Sequence, residues 1–152
     1  MIRILLLVSL FFFPIKSNAL IEVDITRGNL NPLPIAVSPL SIDENSKKNF
    51  EKILKKKNIG SEIAIVVENN LKASGLFNPL NKDAFLQAPD IANLKPRFED
   101  WNLIKAQALI TGKVTFVDEK LRVEFRLWDV LAGKEMMALA FTTVPNNWRR
   151  VG

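Results

Sequence analysis

The last third of this chain constrains its fold more than any other part. Ala108-Leu109-Ile110-Thr111-Gly112 is an apolar run that continues through Val114, Phe116 and Val117, as a central buried strand does. Asp118-Glu119-Lys120 supplies a turn, after which Leu121, Val123, Phe125 and Leu127 alternate with Arg122, Glu124, Arg126 and Trp128. Such alternation assigns one face to the core and the other, charged face to water. Asp129 through Lys134, with Gly133 at the position that calls for positive φ, turns into a third strand from Glu135 to Val144. Short turns between consecutive strands make antiparallel neighbours. The segment therefore predicts a three-strand antiparallel meander.

Upstream, the pattern changes period. Ile59, Ile63, Val66, Val67 and Leu71 fall at helical spacing and form a wide core-facing stripe. Asn58 or Ser61 starts that helix and Ser74-Gly75 stops it. Before it, Glu44 to Lys56 reads as a helix with a thin apolar stripe of Phe50, Ile53 and Leu54. Pro32 and Pro34 flank a strand, Leu33 to Val37, which either begins abruptly or lies at an edge. Leu76 to Leu80 reads as a short strand, 81–96 as a mostly irregular connection, and Phe98 to Lys105 as a short helix. Asn146 to Gly152 resembles a helix start cut after one turn, which cannot support itself, so the pattern implies a fragment. The expected class is α/β: a mixed five-stranded sheet with two or three helices packed on it, ending in the meander.

The N-terminus reads as a secretion signal. Arg3 gives a positive start, Ile4 to Phe13 is apolar apart from Ser9, and Ser17-Asn18-Ala19 is a small-residue cleavage site. The alternative is a retained anchor, but an apolar core of roughly ten to twelve residues falls short of the ~20 that span a bilayer. Cleavage would remove residues 1–19 and leave Leu20 as a new terminus before Ile21-Glu22-Val23-Asp24-Ile25-Thr26, an alternating strand. That strand either opens the domain's own sheet or adds to the sheet edge of a partner, where backbone hydrogen bonds give affinity. It could also dock on its own domain and so gate binding.

Composition narrows the chemistry. The chain has no histidine and no cysteine, which removes the usual neutral-pH base, thiolate chemistry, disulfides and zinc clusters. An exported chain without disulfides suits a bacterial periplasm. The net charge of +5 falls to +3 without Arg3 and Lys16, and much of the excess lies between Lys47 and Lys57. That run reads as a solvated helix face rather than a nucleic-acid patch. Glu99-Asp100 and Asp118-Glu119 are paired acids on turns, and the neighbours Ser46-Lys47 do not face each other on a helix. No phosphate loop is present, and Gly112 and Gly133 are isolated. Of the tryptophans, Trp101 reads as core and Trp128 as a candidate partner surface. Catalysis is not expected; a binding role remains.

Ile59-Gly60, Ile63, Val67, Leu71 and Ser74-Gly75-Leu76-Phe77-Asn78-Pro79-Leu80 carry a family resemblance. Pro34-Ile35-Ala36-Val37, Trp101, Gly112-Lys113-Val114, Val123 to Asp129, and Asn147 to Gly152 support it by order and spacing. Together they resemble the N-terminal domain of TolB, the periplasmic component of the Tol–Pal envelope system. The resemblance covers essentially the whole chain after residue 19, and the Ser-Gly-x-Phe-Asn-Pro-Leu element is its most specific part.

The resemblance implies a mixed α/β domain at 32–152, preceded by a mobile N-terminal segment at 20–31 and followed in the family by a β-propeller. It implies no enzyme activity, no cofactor, no nucleic acid and no small-molecule substrate. TolB-like proteins bind the inner-membrane protein TolA through the mature N-terminal segment. By position that segment is Leu20, Ile21, Glu22, Val23, Asp24, Ile25, Thr26, Arg27 and Gly28. The family binds the lipoprotein Pal chiefly through the propeller, which this chain lacks, and switches its N-terminus between exposed and tucked positions. The lysine-rich stretch Lys47 to Lys57 is more basic than the family pattern. The alternative reading is a periplasmic binder of a small solute or cell-wall fragment.

Overall fold

A computed structural model describes residues 31–152. The expected signal at 1–19 and the expected binding segment Leu20 to Gly28 lie outside the described residues. Within them the elements are β1 (Leu33–Val37), β2 (Ser41–Ile42), α1 (Glu44–Leu54), α2 (Ile59–Ala73), β3 (Phe77–Pro79), α3 (Pro89–Leu94), α4 (Phe98–Leu103), β4 (Ala108–Val117), β5 (Lys120–Asp129) and β6 (Lys134–Thr143). Two 3₁₀ segments, Lys82–Ala84 and Pro145–Val151, complete the order.

The strands form one mixed sheet in the order β3-β1-β4-β5-β6, with β2 paired beside β4. β1 runs parallel to both β3 and β4, while β4, β5 and β6 are antiparallel, so the predicted meander is present. The sheet carries six strands where five were expected. The additional one is β2, whose two residues pair with Lys113 and Val114 and are too few to show a period. β1 begins abruptly and is interior, not an edge. Pro34 occupies its second position, where a missing N–H is least costly, and its carbonyl accepts from Gln107 N at 3.0 Å.

Alternate residues of the central strands feed two cores, one on each face. On one face Leu40, Phe50, Ile59, Ile63, Val114, Leu121, Val123 and Trp148 pack together beneath α1 and α2. On the other, Ala36, Leu109, Ala106 and Val130 meet Ala92 of α3 and Trp101 of α4. The stretch 81–96, expected to be irregular, contains α3. Pro89 starts that helix at its first turn and Ala92 is its buried anchor, a single contact too slight to read as a helical period. The final segment is held by tertiary contacts: Trp148 is buried in the first core, so the one-turn element does not stand alone.

Local chemistry sets the helix ends as expected. Asn58 Oδ1 accepts from Ser61 N at 3.1 Å and caps α2, while Gly75 takes φ 72° just past its end. Gly60 is required for a second reason. A Cβ there would collide with the Leu40 carbonyl oxygen, so glycine lets α2 settle directly against the loop after β1.

Candidate partner-binding site

The described residues begin just before β1, which lies inside the sheet. Asn31 and Pro32 are exposed, and Leu33 N then donates to the Leu76 carbonyl at 2.9 Å. The same end of the sheet holds Gln107, whose carbonyl accepts from Val130 N at 3.0 Å. β1 is paired on both sides, by β3 and by β4.

Trp128, singled out as a partner surface, has a structural position. Its indole Nε1 donates to Thr111 Oγ1 at 2.9 Å, and its ring meets Phe98 with centroids 5.9 Å apart. The alternation of β5 points it away from the first core, but α4 covers that face and packs on it. Trp101 is core, as read from sequence.

The candidate chemical groups are also absorbed by structure. Ser46 Oγ donates to Asp43 Oδ2 at 2.8 Å and accepts from Phe116 N at 2.8 Å. Asp43 Oδ1 accepts from Ser46 N at 2.9 Å, capping α1. Those two bonds from Ser46, the backbone one foremost, hold the Asp43 carboxyl below its ordinary value, with attraction to Lys113 assisting and slight burial opposing. Asp100 is engaged by Arg97 at 2.7 Å and by Gln87 at 3.1 Å, and Asp118 and Glu119 take positive φ in the β4–β5 turn. In the basic run, Lys47 pairs with Glu44 at 3.6 Å. Lys56 pairs with Glu62 at 3.2 Å and sits 5.1 Å over the Trp148 ring. Among the described residues, no group of three or more His, Cys, Asp or Glu side chains converges as a metal site.

One surface escaped the sequence reading. On the α2 side of the sheet, Phe125, Leu127, Met137, Leu139 and Phe141 border an open groove of about 290 Å³, closed along one wall by Val67 of α2. The expected core face of β5 is therefore buried only in its first half, at Leu121 and Val123. Met137, Leu139 and Phe141 remain 51%, 49% and 43% exposed. Their every-second-residue spacing in continuation of Phe125 and Leu127 was the available signal. The groove is apolar and offers packing rather than chemistry.

No helix among the described residues is long and apolar enough to cross a membrane. Solved structures share the fold, two of them as follows. TolB from Acinetobacter baumannii superposes with a TM-score of 0.56 at 17% identity over 79% of this chain and 25% of that one. Lipoprotein GNA1162 from Neisseria meningitidis superposes at 0.53 and 19% identity, over 74% of this chain and 81% of that one. In sequence, the chain is 82% identical over 147 residues to the Tol-Pal system protein TolB of Pelagibacter ubique (strain HTCC1062), 97% of this chain. It spans 33% of that relative's length. Residues 21–136 match the family described as the TolB amino-terminal domain. A match over that span, on a mixed sheet with this strand order, places the chain in the family of TolB amino-terminal domains.

Proposed function

We propose that this chain is a non-enzymatic protein-interaction domain of a Tol–Pal envelope system, exported to the periplasm by its first 19 residues. Its mature N-terminal strand, Leu20 to Gly28, binds a TolA-like inner-membrane protein by strand addition. Through that contact it contributes to outer-membrane integrity, cell division and macromolecule import. A Pal-like lipoprotein joins only where a propeller follows the domain. The observation that carries the reading is the family match from residue 21 onward, which begins at the alternating Ile21-Val23-Ile25 row itself.

The alternative of a cell-wall-fragment site finds no support in the groove beside β6, which is lined by hydrocarbon, whereas a glycan or peptide fragment needs convergent polar groups. The test is a calorimetric titration of residues 20–152 with the periplasmic C-terminal domain of the cognate TolA-like protein, with and without Leu20 to Thr26. Saturable binding that disappears on deletion supports the proposal. Binding that survives the deletion moves the contact elsewhere on the domain, and no binding by either form overturns it.

A further inference from the structure

The two edges of the sheet differ in a way that points to a partner independent of the N-terminal strand. At one edge β3 has three residues and includes Pro79, a short edge that cannot template a long pairing. At the other, β6 has ten residues and, among the described residues, bonds only to β5. Its register against β5 steps from Leu127↔Met137 to Trp128↔Glu135, leaving Met136 as a bulge. Beyond that bulge, Met137-Ala138-Leu139-Ala140-Phe141-Thr142-Thr143 runs without a charge, a proline or a further irregularity. Proteins ordinarily protect such an edge with lysine, proline, a bulge or a covering element. These seven residues hold no lysine, proline or bulge, and among the described residues no element covers them.

We infer that this edge is a self-association surface, on which the β6 strands of two copies pair antiparallel about a two-fold axis near Leu139. The chemistry favours a second copy as occupant because the strand is complementary to itself. Centred on Leu139, the register sets Met137 opposite Phe141 of the second copy, so the apolar row of one copy continues in the other. On the reverse face Ala138 meets Ala140 of the second copy, and both are small. Glu135 falls opposite Thr143 and Lys134 beyond the strand end at Val144, so no like charges meet. Symmetric use of the one long edge closes the assembly as a dimer, and the short β3 edges leave nothing for a fibre to extend. A seven-residue strand pair is a small contact beside the ~1,200–2,000 Å² of a stable interface, so a weak, concentration-dependent dimer is expected.

Sedimentation velocity of residues 20–152, from low to several hundred micromolar, tests this. A concentration-dependent monomer–dimer equilibrium is expected. Ala140→Lys places a charge beside Glu124 in the monomer; in the dimer the new ammonium lies opposite Ala138 of the second copy, near its own symmetry mate and one strand short of that copy's Arg126, and weakens association tenfold or more without lowering Tm. Leu139→Lys, which brings two ammonium groups together at the axis, does the same. Deleting Leu20 to Thr26 leaves the dimer intact, which separates this proposal from the partner-binding one. A wild-type chain that stays monomeric throughout overturns the inference. So does association that persists in folded Ala140→Lys, or that disappears on deleting Leu20 to Thr26.

Discussion

The hydroxyl of Ser46, in the first turn of α1, accepts the backbone N–H of Phe116 in β4 at 2.8 Å, across 70 residues of sequence. The same oxygen donates to Asp43, so one buried side chain joins a helix cap to the middle of the sheet. Its partner β4 also receives β2, and the three contacts fix how α1 lies on the meander.

Replacing Ser46 by alanine leaves the Phe116 N–H without its acceptor in a half-buried site. The expected cost is about 1–3 kcal/mol, the usual penalty for an orphaned buried donor. Urea unfolding of Ser46→Ala, with the slope unchanged and the midpoint lowered, is the measurement. An unchanged midpoint would show that the bond contributes nothing net.

Asp43 makes α1 sensitive to acid. Its carboxyl is held below the ordinary value of 3.8, so its stabilising contribution is fully present above that value. It is lost as pH falls through the lower, folded-state value. Asp43→Asn keeps an acceptor for Ser46 N but cannot titrate. The stability advantage of wild type over Asp43→Asn, measured by urea unfolding, should therefore shrink as pH falls below 3.8. Asp43→Ala removes the cap at every pH and costs about 0.5–2 kcal/mol.

Gly60→Ala drives a methyl group into the Leu40 carbonyl, and backbone must move to admit it. The helix propensity gained is under about 1 kcal/mol. The overpacking costs about 1–3 kcal/mol. A lower Tm is expected despite alanine being the better helix former.

Trp128→Phe separates the two readings of this residue. It removes the donor to Thr111 Oγ1, whose side chain is buried, and should cost about 1–3 kcal/mol. Trp128→Phe with Thr111→Val removes both partners and should recover part of that loss. Binding of a TolA-like domain is expected to be unchanged in either variant; weakened binding with an intact fold would restore Trp128 as a contact residue.

The sequence by itself determined the meander, the α2 stripe and the helix punctuation, because each is written in residues close together. Leu121, Val123 and Ser74-Gly75 obey local sterics and local periodicity, and no distant partner was needed to read them. Tertiary structure alone decided the rest. β2 exists because β4 offers Lys113 and Val114 to pair with, and α3 exists because Ala92 fits against Leu109 and Trp101. Trp128, on the polar side of its strand's alternation, became a packed residue once α4 crossed that face. Phe125 and Leu127 carry the same apolar pattern as Val123, yet they border an open groove because α2 covers only part of the sheet. Periodicity specifies which face of a strand is apolar. Whether that face is covered depends on elements remote in sequence, and only the folded arrangement sets their reach.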